Sequence, residues 1–201
     1  EHEKGGLWIG WSGLSSERIK GHQKEITKTL YDDYKCVPVN LTERDVRLYY
    51  EGFSNQTIWP LFHYFPALTT FEDNMWLRYK RVNEKFYQTL KPYIDDDALI
   101  WIHDYQLMLL PELIRNDFPH VKIGFFLHIP FPSSEIFKLL IWKHSILKGI
   151  LGADLIGFHT YDYVRHFLSS VRRILNIQHH FYKMSYNERT IEVDAFPMGI
   201  D

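Results

Sequence analysis

Residues 99–132 read LIWIHDYQLMLLPELIRNDFPHVKIGFFLHIPFP, and this stretch decides the fold. An apolar run over residues 98–102 finishes at His103-Asp104, and a second run over 121–127 finishes at His128. Between them the apolar residues follow a helical period. Two short buried strands with a helix between them form one βαβ unit of a parallel sheet. In an open parallel sheet, ligands bind in the crevice outside the carboxyl ends of the strands. Asp104 and His128 are therefore expected to face one crevice.

Outward from that unit the alternation continues. Strands are expected over residues 7–11, 34–39, 154–158 and 191–196. Helices are expected over 15–34, from Thr42 onward, and over 76–90, 106–116, 134–151 and 161–175. Thr42 is a good N-cap, with Glu43 and Asp45 placing negative charge in the first turn. The aromatic run at 59–65 fits neither the helix nor the strand period. Alternating strands and helices, with continuous apolar strands at the centre, predict an α/β chain: a Rossmann-like, mostly parallel sheet covered by helices on both faces. No repeat or linker divides it, so residues 1–201 are expected to form one domain.

Composition bounds the function. The chain is 45% hydrophobic with six Trp, ample for a core, and its formal charge is −2 from 23 basic and 25 acidic residues. That balance gives no electrostatic pull toward nucleic acid or membrane. No apolar run approaches the roughly 18 residues of a membrane span. Cys36 is the only cysteine, which suits a reducing, cytoplasmic compartment. The histidines lack metal-ligand spacing, and no G-x-G-x-x-G follows a strand, so neither a metal nor a cofactor is expected. The abrupt opening and close read as a segment of a longer protein.

Each candidate residue has two readings. Asp104 is either the N-cap of the helix that follows or a carboxylate that accepts from sugar hydroxyls. His128 is either a satisfied core histidine or a site residue, held in place by the rigid Ile129-Pro130-Phe131-Pro132 turn. Tyr49-Tyr50 and residues 59–64 are either core aromatics or a sugar-stacking surface with hydroxyls for phosphate. The shared crevice is what favours Asp104 and His128 as a site.

Several blocks are longer and more unusual than single motifs: GLWIGWSG (6–13), YY-x-x-F-S-N-x-x-x-WPLFHY (49–64), WIHDYQLMLLPELIR (101–115), GFFLHIPFPSSEIF (124–137), GADLIGFHTYDYVRHF (152–167) and the closing FPMGID. In order and spacing they resemble the trehalose-6-phosphate synthase family, over nearly the whole chain. Gln106 departs from the histidine common there. The resemblance implies the acceptor-side, N-terminal half of a GT-B glycosyltransferase, with glucose passing from UDP-glucose to glucose 6-phosphate with retention and no metal. It implies that Tyr50 binds the acceptor phosphate, Trp59 walls the acceptor pocket, Asp104 holds acceptor hydroxyls and His128 lies beside the transferred glucose. Asp104 and His128 are the catalytic candidates. The family's first strand has no counterpart before Leu7, and its nucleotide-gripping C-terminal domain would lie past Asp201. The fragment alone is therefore expected to be inactive, and the complete protein leaves a homo-oligomer possible. A sugar-phosphate sensor or regulatory subunit with the same fold is the competing expectation.

Overall fold

The computed structural model describes residues 6–199; the charged opening at 1–4, Gly5 and the final Ile200-Asp201 lie outside it. The chain begins with strand β1 (Trp8–Gly10), helix α1 (Gln23–Tyr34) and strand β2 (Cys36–Pro38). Helix α2 (Glu43–Asp45) runs into a wide π-type helix (Val46–Ile58) and on into α3 (Trp59–Phe62). Helix α4 (Asp73–Leu90) leads to strand β3 (Leu99–His103), helix α5 (Leu110–Asp117) and strand β4 (Lys122–Phe126). Then come helices α6 (Ser134–Phe137) and α7 (Lys143–Ile150), strand β5 (Leu155–Phe158) and helix α8 (Tyr161–Leu175). Strands β6 (His179–His180), β7 (Lys183–Tyr186) and β8 (Arg189–Ala195) close the chain.

The main sheet has six strands in the order β3-β4-β5-β8-β7-β6, with β1 and β2 forming a separate parallel pair. Strands β3, β4, β5 and β8 are mutually parallel, and β7 and β6 add an antiparallel edge. The α/β class and the mostly parallel sheet match the sequence expectation. Coverage is uneven. Ile102, Ile123, Phe125, Ile156, Phe158 and Val193 are buried on one face, whereas Trp101 on the other is 67% exposed and Leu99 79%. On that same face Phe126 is buried, so the exposure is greatest at the β3 edge.

Local departures have identifiable causes. The expected helix at 15–34 begins only at Gln23, because Gly21 takes a φ of +93°, a conformation that interrupts the helix. The helix expected at 134–151 breaks into α6 and α7. At the break Phe137 and Leu140 are in the core, while Leu139 and Ile141 are exposed. The aromatic run at 59–65 follows a helix bonded i→i+5, whose period matches neither template. The β7–β8 hairpin escaped notice because its two-residue turn, Asn187-Glu188, meets the positive-φ requirement without glycine.

Thr42 caps as expected: its hydroxyl accepts from the Asp45 amide at 3.1 Å, and its own amide donates to the Asp45 carboxylate at 3.0 Å. The fully buried Asp45 also pairs with Lys85 and with Arg78 at 2.8 Å, tying α2 to α4. Burial alone would raise the Asp45 pKa. The Lys85 bond and the Thr42 hydrogen bonds outweigh it and bring the value down to about 2. Between β1 and the outer edge of β3 lies a cavity of about 840 Å³, walled by Ile9, Phe86, Leu90, Ile100 and Ile102. Among the described residues, no helix is long and apolar enough to cross a membrane.

Candidate active site at the carboxyl ends of β3, β4 and β5

Asp104 follows the last residue of β3 with φ +73° and ψ 171°, a backbone region that side chains other than glycine seldom occupy. Such a conformation costs about 1–3 kcal/mol and persists only where the surroundings over-determine it. Here they do. The Asp104 amide donates to the Phe126 carbonyl at 2.7 Å, extending the β3–β4 pairing. One carboxylate oxygen accepts from the Tyr105 amide at 2.9 Å and from the His128 amide at 3.2 Å. Asp104 thus caps the turn after β3, as its structural reading held, and also clamps the end of β4. Burial raises its pKa, while the two amides and the neighbouring histidines pull the other way.

A buried polar framework holds the turn beneath Asp104. The Tyr79 hydroxyl donates to the Tyr105 carbonyl at 2.7 Å and accepts from the Met108 amide at 3.0 Å. The Asn83 amide group donates to the Gln106 carbonyl at 3.1 Å and accepts from the Leu109 amide at 3.3 Å. Tyr49 donates to the Gln106 carbonyl at 3.1 Å. Irregular backbone that would otherwise be buried unpaired is thereby satisfied. Burial pushes the pKa of Tyr49 and of Tyr79 far up, so both remain neutral donors.

His128 lies on the open face. Its Nε2 is 2.9 Å from Nδ1 of His103, and the two rings meet edge to edge, nearly coplanar, with centroids 5.2 Å apart. His159, just past β5, stands edge-on to His128 at 5.7 Å and to Phe126 at 5.1 Å. Three adjacent parallel strands therefore each present a histidine at or just past their carboxyl ends. Burial and the neighbouring His128 lower the His103 pKa, with Asp104 opposing.

Tyr50 leans on Trp11 at 5.3 Å. Tyr105 donates to the Asn55 side chain at 3.0 Å. Burial pushes the Tyr105 pKa up to about 12, and the Asp104 charge and Tyr50 add to the shift. Trp59 stands apart. It is 42% exposed, its indole stacked on His63 at 4.1 Å, and His63 Nδ1 donates to its carbonyl at 2.7 Å. The Trp59 block is tied to the segment after His128 through Tyr64, whose hydroxyl accepts from the Ser133 amide at 2.8 Å. Asp104 and His128 are thus joined at one turn, while Tyr50 packs on Trp11 and Trp59 on His63.

Sequence reasoning passed over His103, His159 and Tyr105. His159 carried the same signal as His128, a polar residue directly after an apolar strand. His103 was read only as the end of its run. Among the described residues, no group of three or more His, Cys, Asp or Glu is arranged to hold a metal ion.

An open α/β sheet with polar side chains converging at its strand ends defines a ligand-binding domain of the Rossmann-like class. The family model described as Glycosyltransferase family 20 matches residues 1–201, and the chain belongs to that family. It is 48% identical over 199 residues to the UDP-forming alpha,alpha-trehalose-phosphate synthase of Pichia angusta, covering 96% of this chain and 42% of that protein. Among solved structures, the Candida albicans trehalose-6-phosphate phosphatase N-terminal domain matches with TM-score 0.85 and 38% identity, over 96% of this chain and 41% of that one. The UDP-forming alpha,alpha-trehalose-phosphate synthase from Burkholderia xenovorans in complex with glucose-6-phosphate matches with TM-score 0.82 and 32% identity, over 98% of this chain and 44% of that one. The chain thus spans less than half the length of each of these three relatives.

Proposed function

We propose that residues 1–201 are the acceptor-side domain of a UDP-forming trehalose-6-phosphate synthase, transferring glucose from UDP-glucose to glucose 6-phosphate with retention. The observation that carries the reading is the strained, doubly clamped Asp104 beside His128 at the strand ends. In this reading Asp104 holds acceptor hydroxyls, Tyr50 meets the acceptor phosphate, Trp59 walls the acceptor pocket and His128 lies against the donor glucose. The names of the Pichia and Burkholderia relatives supply the reaction and the acceptor.

The physical task suits such a site. A retaining transfer builds positive charge at the donor carbon while negative charge grows on the departing diphosphate. The acceptor hydroxyl must stand close, on the leaving-group side. Rate then comes from positioning and preorganised electrostatics. The turn that follows Asp104 has its carbonyls already hydrogen-bonded, so little reorganisation is needed there on binding.

The domain reading has its own support. The 840 Å³ cavity lies between β1 and the edge of β3 that pairs with no strand among the described residues. The open face carrying Trp101 and Leu99 offers a seat for further chain. Because the chain spans less than half the length of its relatives, we expect the fragment alone to be inactive; the single Cys36 is what suits the cytoplasm as its compartment. A specific observation favours the second reading, a non-catalytic sugar-phosphate sensor: this fold also occurs in a domain named for a phosphatase.

UDP release by the full-length protein, given UDP-glucose with and without glucose 6-phosphate, separates the two. Release that requires glucose 6-phosphate supports the synthase. Absence of release with glucose 6-phosphate still bound supports the sensor.

A further inference from the structure

The geometry points to His103 as a positioning residue that locks His128 in one tautomer, so that His128 meets a sugar hydroxyl as a hydrogen-bond acceptor at Nδ1. This inference rests on the transferase reading for its substrate, but not for the pairing itself.

The contact between His103 Nδ1 and His128 Nε2 is 2.9 Å, so one nitrogen carries the shared proton and the other accepts it. In a neutral imidazole, the bond made by one nitrogen fixes the protonation of the other. Two assignments exist. If His128 donates, both rings carry their proton on Nε2, the tautomer that neutral imidazole side chains intrinsically favour. If His103 donates, both rings must take the less stable Nδ1–H form. The first assignment costs neither ring its preferred tautomer, and it leaves His128 Nδ1 with a bare lone pair. Among the described residues, nothing else hydrogen-bonds to that nitrogen.

Packing holds His103 to this task. Its ring packs against Trp101 at 4.7 Å and Trp8 at 6.3 Å, and it meets His128 edge to edge with the ring planes 24° apart, the alignment an in-plane hydrogen bond needs. His128 is fixed from the other side by its amide bond to Asp104 and by contact of its ring with Phe126 at 4.7 Å. The groups facing the pair are Asp104, which favours protonation of His103, and His159. Burial and the adjacent imidazole lower the His103 pKa, which favours the neutral ring that can accept from His128.

Two substitutions in the full-length protein separate hydrogen bonding from packing. His103→Phe keeps a ring against the tryptophans but removes the acceptor. His103→Asn loses the ring but places a carbonyl oxygen near the position of Nδ1. A neutral hydrogen bond is worth about a tenfold effect at most. The expected result is a roughly tenfold fall in kcat/KM for UDP-glucose in His103→Phe and a change within about threefold in His103→Asn. Nitrogen-15 spectra of histidine-labelled full-length protein, assigned with His128→Gln, are expected to show His128 bare at Nδ1 in the unaltered protein and in His103→Asn. In His103→Phe they should show a mixture of tautomers. Wild-type kinetics in His103→Phe, equal losses in both variants, or a His128 proton on Nδ1 in the unaltered protein would each overturn the inference. If the unaltered protein releases no UDP, the transferase reading falls, and the spectra still decide the pairing.

Discussion

The two ends of the main sheet use charge in opposite ways. At the amino end, Asp154 is saturated: it accepts from Arg115 at 2.7 Å, from Arg189 at 3.2 Å and from the Ile123 amide at 2.9 Å. Arg115 spends its remaining donors on the carbonyls of Gly152, Pro119 and Val121, and Arg189 reaches the Leu151 carbonyl at 2.7 Å. At the carboxyl end, Asp104 satisfies two amides through a single oxygen and sits on strained backbone, and His128 makes one ring hydrogen bond. The difference separates charge that holds strands in place from charge kept available for a ligand. A saturated ion pair has no valence left to recognise anything, while a partly satisfied one costs stability and retains that capacity.

Substitutions at the two ends should therefore divide cleanly. Arg115→Leu should cost the most, about 3 kcal/mol, because it removes one of the two arginines on half-buried Asp154 and leaves three carbonyls without their donor. Urea unfolding checks this, and the folded fraction should keep its ligand affinity. Asp104→Asn should do the reverse. Stability should change little, while glucose 6-phosphate affinity should fall by about 1.5–3 kcal/mol, as expected for a hydrogen bond to a charged group. Calorimetry with each substrate is the check. An equal loss of UDP-glucose affinity would break the division of labour assigned to Asp104.

Asp45 is a second saturated charge, remote from the strand ends, and it sharpens the comparison through pH. Its pKa falls from 3.8 to about 2 on folding. A depressed carboxylate adds stability above its unfolded value, and that stability is lost as pH falls through the folded value. Between about pH 4 and pH 2 the protein should lose about 2 kcal/mol that Asp45→Asn does not lose over the same window. The smallest effect is expected at Gly157, where an added Cβ would lie 2.6 Å from the Phe126 ring. Gly157→Ala should cost about 1–2 kcal/mol by overpacking. Because Phe126 touches both His128 and His159, it should also shift the histidine resonances at the carboxyl end.

How far each end could be read from the sequence follows from how local its signals are. Asp104 and His128 were legible because each ends an apolar run, and a parallel sheet brings such ends together. The same rule would have reached His159. The Arg115–Asp154–Arg189 cluster was not legible, since its members come from α5, the start of β5 and the start of β8 and share no spacing. Tyr79 and Asn83 read as ordinary positions on an amphipathic helix, yet they satisfy the backbone on which Asp104 stands. Tyr50 and Trp59 stand out in the sequence as parts of dense aromatic clusters, and the resemblance gives them their roles. In the structure Tyr50 packs on Trp11 and Trp59 on His63.

By itself, the sequence determined the α/β class, the βαβ unit over residues 99–132, the Thr42 cap and the family, because periodicity, capping and long motifs are written in neighbouring residues. Tertiary structure alone decided the exposure at the β3 edge, the left-handed backbone at Asp104, the shared proton between His103 and His128 and the saturation of Asp154. Each of these depends on groups distant in the chain meeting within hydrogen-bonding range, and no local pattern encodes that distance.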